Sequence, residues 1–252
     1  MDAQHVLAAM YTDTPLVFGH RGAKAYAPMN TLAAFRLAAE QGAHGIELDV
    51  HCTSDDALVV VHDFQVDATS NGHGRIAELT LAQLQQLDAG AWFAPQFAGE
   101  PIPTLDAVFA ELGQRLYINV EIKVEPQADA HAAHIAALVA TCIDRHAMQQ
   151  RVLISSFHPP TLVRCRELMP HVPLGYLHEQ RTPTLPNDAP YEAYHPHYTL
   201  VTPDLLVQCK QRGLRVNVWT VNDPVQAVAL RDMGVDGIIS DNPDTVLAAL
   251  PG

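Results

Sequence analysis

Short runs of apolar residues alternate along the chain with stretches whose apolar positions recur at helical spacing. The runs that read as strands are Leu16–Gly19, Gly45–Val50, Leu58–Val61, Leu116–Ile122, Val152–Ser155, Pro173–Leu177, Tyr198–Val201, Arg215–Thr220 and Gly237–Ser240. Many are apolar throughout, the pattern of strands covered on both faces. Between them, Thr202-Pro203, Asp223-Pro224 and Asn242-Pro243 each set an N-cap side chain before a proline at the first helical position. Gly213 and Gly234 stand where a left-handed residue would close the preceding helix. Leu58–Val61 follows Val50 too closely for a helical crossover, so it is a hairpin partner or a continuation of the second strand. Eight strands then remain. Eight strands alternating with helices predict a (β/α)8 TIM barrel rather than an open doubly wound sheet.

The rhythm breaks between Phe64 and Pro103, where Asn71-Gly72, Gly74, Gly90, Pro95 and Gly99 surround one short helix near Thr80–Leu87. Thr80-Leu81-Ala82-Gln83 fits a capping box at its start. The stretch is too long for a plain barrel loop and too short for an independent domain. It predicts a small inserted subdomain, residues 64–103, leaving the C-terminal face after strand two. Residues 1–252 otherwise read as one barrel domain.

The chain has 252 residues, 48% hydrophobic and 17% charged, which is globular composition. Lys and Arg number 15 against 28 Asp and Glu, a net charge of −13. That balance disfavours nucleic acid as a partner and leaves room for a small anionic substrate held by a metal. No apolar stretch reaches the roughly 18 residues of a membrane span. The start, Met-Asp-Ala-Gln-His, lacks the basic and apolar regions of a secretory signal, so the expected location is cytoplasmic. Cys52, Cys142, Cys165 and Cys209 lie far apart without metal spacing and read as buried small apolar residues.

Candidate chemistry begins in Gly45–Val50. Glu47 and Asp49 share one strand face while Ile46, Leu48 and Val50 take the other. Two readings fit: acids at a solvated strand end, or inward carboxylates compensated by a hard divalent cation. Asn119, Glu121 and Lys123 share a face on the neighbouring strand, as a structural Glu–Lys pair or as a third ligand beside a phosphate-binding lysine. His20-Arg21 and His62-Asp63 end the first strand and the Leu58–Val61 run, at the barrel end where side chains act rather than pack. Two histidines near a metal suit acid–base work, and Arg21 suits a phosphate. Asp63 orients His62 or caps the next turn. Trp219 is a wall for a substrate alcohol or a core residue. His195 and His197 are assigned to loops.

These residues resemble the glycerophosphodiester phosphodiesterase family, in its cytoplasmic bacterial form. The likeness rests on His20-Arg21-Gly22, Pro28-Met29-Asn30-Thr31, Glu47-Leu48-Asp49-Val50, His62-Asp63, Asn71-Gly72, Leu87-Asp88-Ala89-Gly90, Glu121-Ile122-Lys123 and Val218-Trp219-Thr220-Val221-Asn222. It runs from about Leu16 to the C-terminus. The resemblance implies a TIM barrel with an inserted subdomain. It implies hydrolysis of a small glycerophosphodiester to an alcohol and sn-glycerol 3-phosphate, and so a place in lipid and glycerol metabolism. It implies one divalent ion, Mg2+, Ca2+ or Mn2+, on Glu47, Asp49 and Glu121. By the same resemblance His20 and His62 are acid and base, Arg21 and Lys123 hold the phosphate, and Trp219 contacts substrate. Met29 stands where the family usually has Glu, and Ala68-Thr69-Ser70 where it has Arg-Thr-Thr. The competing readings are a phosphatidylinositol phospholipase-like lyase, a barrel that only binds a phosphodiester, and a metal-dependent sugar isomerase.

Overall fold

The computed structural model describes residues 2–12, 15–125, 129–180, 185 and 190–250. Eight parallel strands close into a barrel: β1 (Leu16–His20), β2 (Gly45–Cys52), β4 (Tyr117–Ile122), β5 (Val152–Ser156), β6 (Leu174–His178), β7 (Ala193–Pro196), β8 (Arg215–Val218) and β9 (Gly237–Ser240). Pairing of β1 with both β2 and β9 completes the ring. β3 (Leu58–Val60) pairs antiparallel with β2, the hairpin partner that the spacing allows. Outside the ring lie α2 (Leu32–Glu40), α4 (Leu105–Leu112), α5 (Asp129–Arg145), α6 (Pro159–Leu168), α7 (Pro203–Gln211), α8 (Pro224–Met233) and α9 (Pro243–Ala249). Thr202 and Asp223 cap α7 and α8 through their side chains, and Gly234 closes α8 at φ 94°.

One strand differs from the sequence expectation. Tyr198–Leu200, at the start of the expected seventh strand, forms a single 3-10 turn, with His197 Nδ1 accepting from the Thr199 N–H. The true seventh strand is Ala193–Pro196, which holds His195 within the barrel instead of in a loop. His and Pro hide this strand in the sequence.

Strand residues alternate between two cores. Ile46, Leu48, Val50, Ile118, Val120 and Val216 face the helices, while Phe18, Leu153, Ala193 and Ile239 point inward. The inward set meets α1 (Ala3–Met10), a helix that Asp2 caps by accepting from the His5 N–H at 2.9 Å. Val6, Leu7, Met10 and Tyr11 of that segment close the barrel floor. Above this apolar plug runs a buried polar chain. Asn217 Nδ2 lies 2.7 Å from Tyr11 Oη and 2.8 Å from His195 Nε2. Two inward glycines make room for it: a Cβ on Gly237 would lie 2.2 Å from Asn217 Oδ1, and one on Gly175 2.7 Å from His195 Nε2.

The segment from 64 to 103 contains α3 (Leu81–Leu84), whose capping box joins Thr80 and Gln83. Its side chains build a small core of Val66, Ile76, Leu84, Ala89 and Ile102 against Val59 and Val61. Glu100 Oε1 ties it to α2 by accepting from the Ala33 N–H at 3.0 Å.

The packing around Asn217 sets a first expectation. Gly237→Ala forces a methyl group into the buried amide and should destabilise the fold by about 1–3 kcal/mol, read as a lower urea midpoint with an unchanged m-value. An unaltered midpoint would mean that the floor yields freely.

Candidate active site

Strand register brings the acids together. Asp49 lies opposite Glu121 and Glu47 opposite Asn119 across β2 and β4, while β1 sets His20 beside Glu47. Glu47, Asp49 and Glu121 therefore converge at the C-terminal rim, with an oxygen from each within 4.8 Å of the others, and all three are buried. Two cations reach them. Arg21 Nε is 3.3 Å from Asp49 Oδ2, and Lys123 Nζ is 2.8 Å from Glu121 Oε1 and 3.4 Å from Asp49 Oδ1. Asn30 Nδ2 donates to Asp49 Oδ2 at 2.8 Å, and the Arg21 N–H donates to Glu47 Oε2 at 3.1 Å.

Three carboxylates against two cations leave the cluster short of positive charge. Burial would push Asp49 up, but Lys123 and Arg21 outweigh it and hold its pKa at about 2. Glu47 has less cover: burial, then Asp49 and Glu121, raise it well above the ordinary carboxylate range against the pull of Arg21. Burial pushes Glu121 up to about 7 against the pull of Lys123. Asp49 Oδ1 is buried with no hydrogen-bond partner. Crowded hard oxygens, one of them without a hydrogen bond, fit a divalent cation.

The tight His20-Arg21-Gly22 turn carries two site residues. Gly22 has φ 84°, and a Cβ there would sit 2.6 Å from the backbone of Ala34. His20 Nδ1 lies 2.7 Å from Asp241 Oδ1, while its Nε2 lies 4.0 Å from Glu47 Oε2. Burial lowers the His20 pKa to about 4 despite this bond, and the bond holds Asp241 at about 2 against its own burial. The pair is thus a neutral imidazole donating Nδ1–H to a carboxylate, which leaves the Nε2 lone pair free. His62 repeats the arrangement closer to solvent. Its Nδ1 lies 2.6 Å from Asp63 Oδ1, with a third of its side chain exposed, and burial again lowers its pKa.

His20, Arg21, Glu47, His62, Glu121, Lys123 and Trp219 all line one cavity of about 310 Å³, and Asp49 lies behind its wall. Phe157, Leu177 and Ile239 supply an apolar side. Phe157 and Trp219 meet edge to face at 5.6 Å, and Trp219 Nε1 donates to the His195 carbonyl at 2.8 Å. Trp92 of the insertion is not among the lining residues; it packs on Phe93 and donates to the Ala89 carbonyl. A larger groove of about 650 Å³ lies at the opposite end of the barrel, by the starts of β8 and β9, far from these carboxylates.

Sequence reasoning missed three contributors. Asp241 reads as part of a helix start, although its place after β9, beside β1, was the available signal for a partner of His20. Phe157 offers no pattern at all. Asn30 lies at φ 59° on the βα loop and is recognisable only once Asp49 is known to point at it.

A model of the glycerophosphoryl diester phosphodiesterase family matches residues 20–245. The chain is 39% identical over 236 residues to a glycerophosphodiester phosphodiesterase of Caldanaerobacter subterraneus subsp. tengcongensis, covering 92% of this chain and 96% of that one. Among solved structures, an Oleispira antarctica phosphodiesterase in complex with the product sn-glycerol-3-phosphate is similar with a TM-score of 0.86 and 30% identity, covering 95% of this chain and 98% of the other. A putative glycerophosphoryl diester phosphodiesterase from Silicibacter pomeroyi gives a TM-score of 0.89 at 28% identity, with 99% and 97% covered. With its barrel and the cavity at its rim, the chain therefore belongs to the glycerophosphoryl diester phosphodiesterase family of hydrolases.

Proposed function

We propose that the protein hydrolyses glycerophosphodiesters to an alcohol and sn-glycerol 3-phosphate, with His20 and His62 moving the protons and a divalent cation held by Glu47, Asp49 and Glu121. One observation carries this reading: two histidines, each fixed at Nδ1 by an aspartate, face one cavity across a buried carboxylate cluster. The product bound to the Oleispira antarctica relative is the one expected from such a reaction. Mg2+, Ca2+ or Mn2+ at the carboxylates would supply positive charge to the phosphate oxygens and acidify a nearby hydroxyl. The four buried cysteines, each with a free thiol, suit a reducing compartment and support a cytoplasmic location. No helix among the described residues is long and apolar enough to cross a membrane.

The residues divide the work by burial. His20 is neutral, and its free Nε2 takes the proton of the glycerol 2-hydroxyl. The hydroxyl oxygen attacks phosphorus, an intramolecular step whose effective molarity can reach ~10⁵ M or more. The P–O bond to the head group breaks as His62, braced by Asp63, protonates the departing oxygen. Water then attacks the cyclic phosphate with His62 as base, and His20 returns its proton to the 2-hydroxyl. Arg21 and Lys123 face the cavity as donors to the phosphate oxygens while offsetting the acids behind them. Phe157 and Trp219 exclude water and pack on the glycerol carbons.

Release of glycerol 3-phosphate from a panel of glycerophosphodiesters tests the reading. Turnover is expected on at least one natural diester and strong loss on its 2-deoxy analogue; equal rates on the two would exclude the cyclic route, and no release on any diester would exclude the activity. A second expectation concerns the histidines. His20→Ala and His62→Ala should each lower kcat by about 10²–10⁴-fold, and the double variant should lose far less than the product of the two. Asp241→Asn keeps the imidazole but weakens its anchor, and should cost roughly 10- to 100-fold in kcat. Retention of full activity by Asp241→Asn would mean that the His20–Asp241 bond is only structural.

A further inference from the structure

The barrel interior beside the carboxylates holds two polar side chains that the proposed reaction does not use. Asn119 and Ser155 take inward positions on β4 and β5, since their strand neighbours Ile118, Val120 and Ile154 face the helices. Both are buried, at 1% and 0% exposure. Among the described residues, neither polar atom of the Asn119 amide has a hydrogen-bond partner, and neither has the Ser155 hydroxyl. A buried amide or hydroxyl is costly without a partner, and an apolar strand former would avoid that cost at either position.

Strand register shows where these groups can turn. Asn119 lies opposite Glu47 on one side and Leu153 on the other, so its polar neighbour is the acid. Ser155 lies opposite Glu121 and Gly175, and the glycine has no side chain to offer. Each group therefore flanks one carboxylate of the cluster without a direct hydrogen bond to it. That is the case in which bridging water is expected. A hard divalent ion takes roughly six to eight oxygen ligands, and it keeps water wherever the protein supplies none. The three carboxylates meet only part of that demand. Water on the ion carries hydrogens that an amide oxygen and a hydroxyl accept, and a buried water makes about three hydrogen bonds.

We infer that Asn119 and Ser155 are positioning residues for the cation: they hold its coordinated water on the barrel side and so fix the ion against Glu47 and Glu121. The inference rests on the cation site of the proposed function and adds the groups that hold the ion's water. Neither residue lines the substrate cavity, so their influence on the reaction passes through the ion.

Calorimetric titration of metal-stripped protein with Mn2+ tests this without turnover. Asn119→Val and Asn119→Thr share one shape and differ in a hydroxyl. The Val variant should bind Mn2+ about 10- to 100-fold more weakly than the wild type, the usual loss on removing a group that supports a metal's ligands. The Thr variant should bind about fivefold more tightly than the Val variant, the worth of one hydrogen bond. Should the Asn119 variants fold poorly, Ser155→Ala removes a single hydroxyl and should itself weaken Mn2+ binding about fivefold. Equal losses in the Val and Thr variants would make Asn119 a packing residue. Wild-type affinity in both Asn119→Val and Ser155→Ala would leave the ion independent of these groups. Either result overturns the inference and leaves the cation site standing, whereas no Mn2+ binding by the wild-type protein overturns both.

Discussion

Three buried carboxylates within 4.8 Å of one another are the constraint around which the rim of this barrel is organised. Left alone they would repel at low dielectric, and burial would drive protons onto them. Arg21 and Lys123 neutralise part of that charge, and the partition is uneven: Asp49 stays ionised while Glu47 is pushed far up. The positions of Asn30 and the Arg21 N–H follow from the same need, since each directs a donor at this cluster. A divalent cation on these oxygens would complete the balance.

The floor of the barrel answers a different demand. Tyr11, Asn217 and His195 form a polar chain in the interior, matched by the absence of side chains at Gly175 and Gly237. Below it, α1 buries Val6, Leu7 and Met10 against Phe18 and Leu153. The result is a closed, packed end opposite the charged open one, the division expected when stability resides at the strand N-termini and chemistry at the C-termini. Strand register fixes the open end: Asp49 can face Glu121 only because β2 and β4 pair without slip.

Much of this is legible in the sequence where local pattern and chemistry coincide. Glu47 and Asp49 interrupt an apolar strand at a spacing of two, so their shared face follows from strand geometry alone. The proline-opened helices α7 and α8 announce their own ends. What escapes is whatever depends on distant strands meeting. β7 is masked because His195 and Pro196 suppress its strand character, and the neighbouring Tyr198–Val201 run carries the stronger pattern but forms a turn. Asp241 is a partner of His20 across 221 residues of chain, a relation set by closure of β9 on β1. Phe157, which no sequence pattern marks, takes the place beside Trp219.

The account turns on the carboxylate cluster being a cation site. The most direct measurement is thermal unfolding of metal-stripped protein during titration with Mn2+, beside the Glu47→Gln/Asp49→Asn/Glu121→Gln variant. A ligand that binds only the folded state raises its stability as the ligand concentration passes Kd. The predicted result is a saturable rise in Tm for the wild-type protein and none for the variant. A flat wild-type titration, or an equal rise in both proteins, would contradict it.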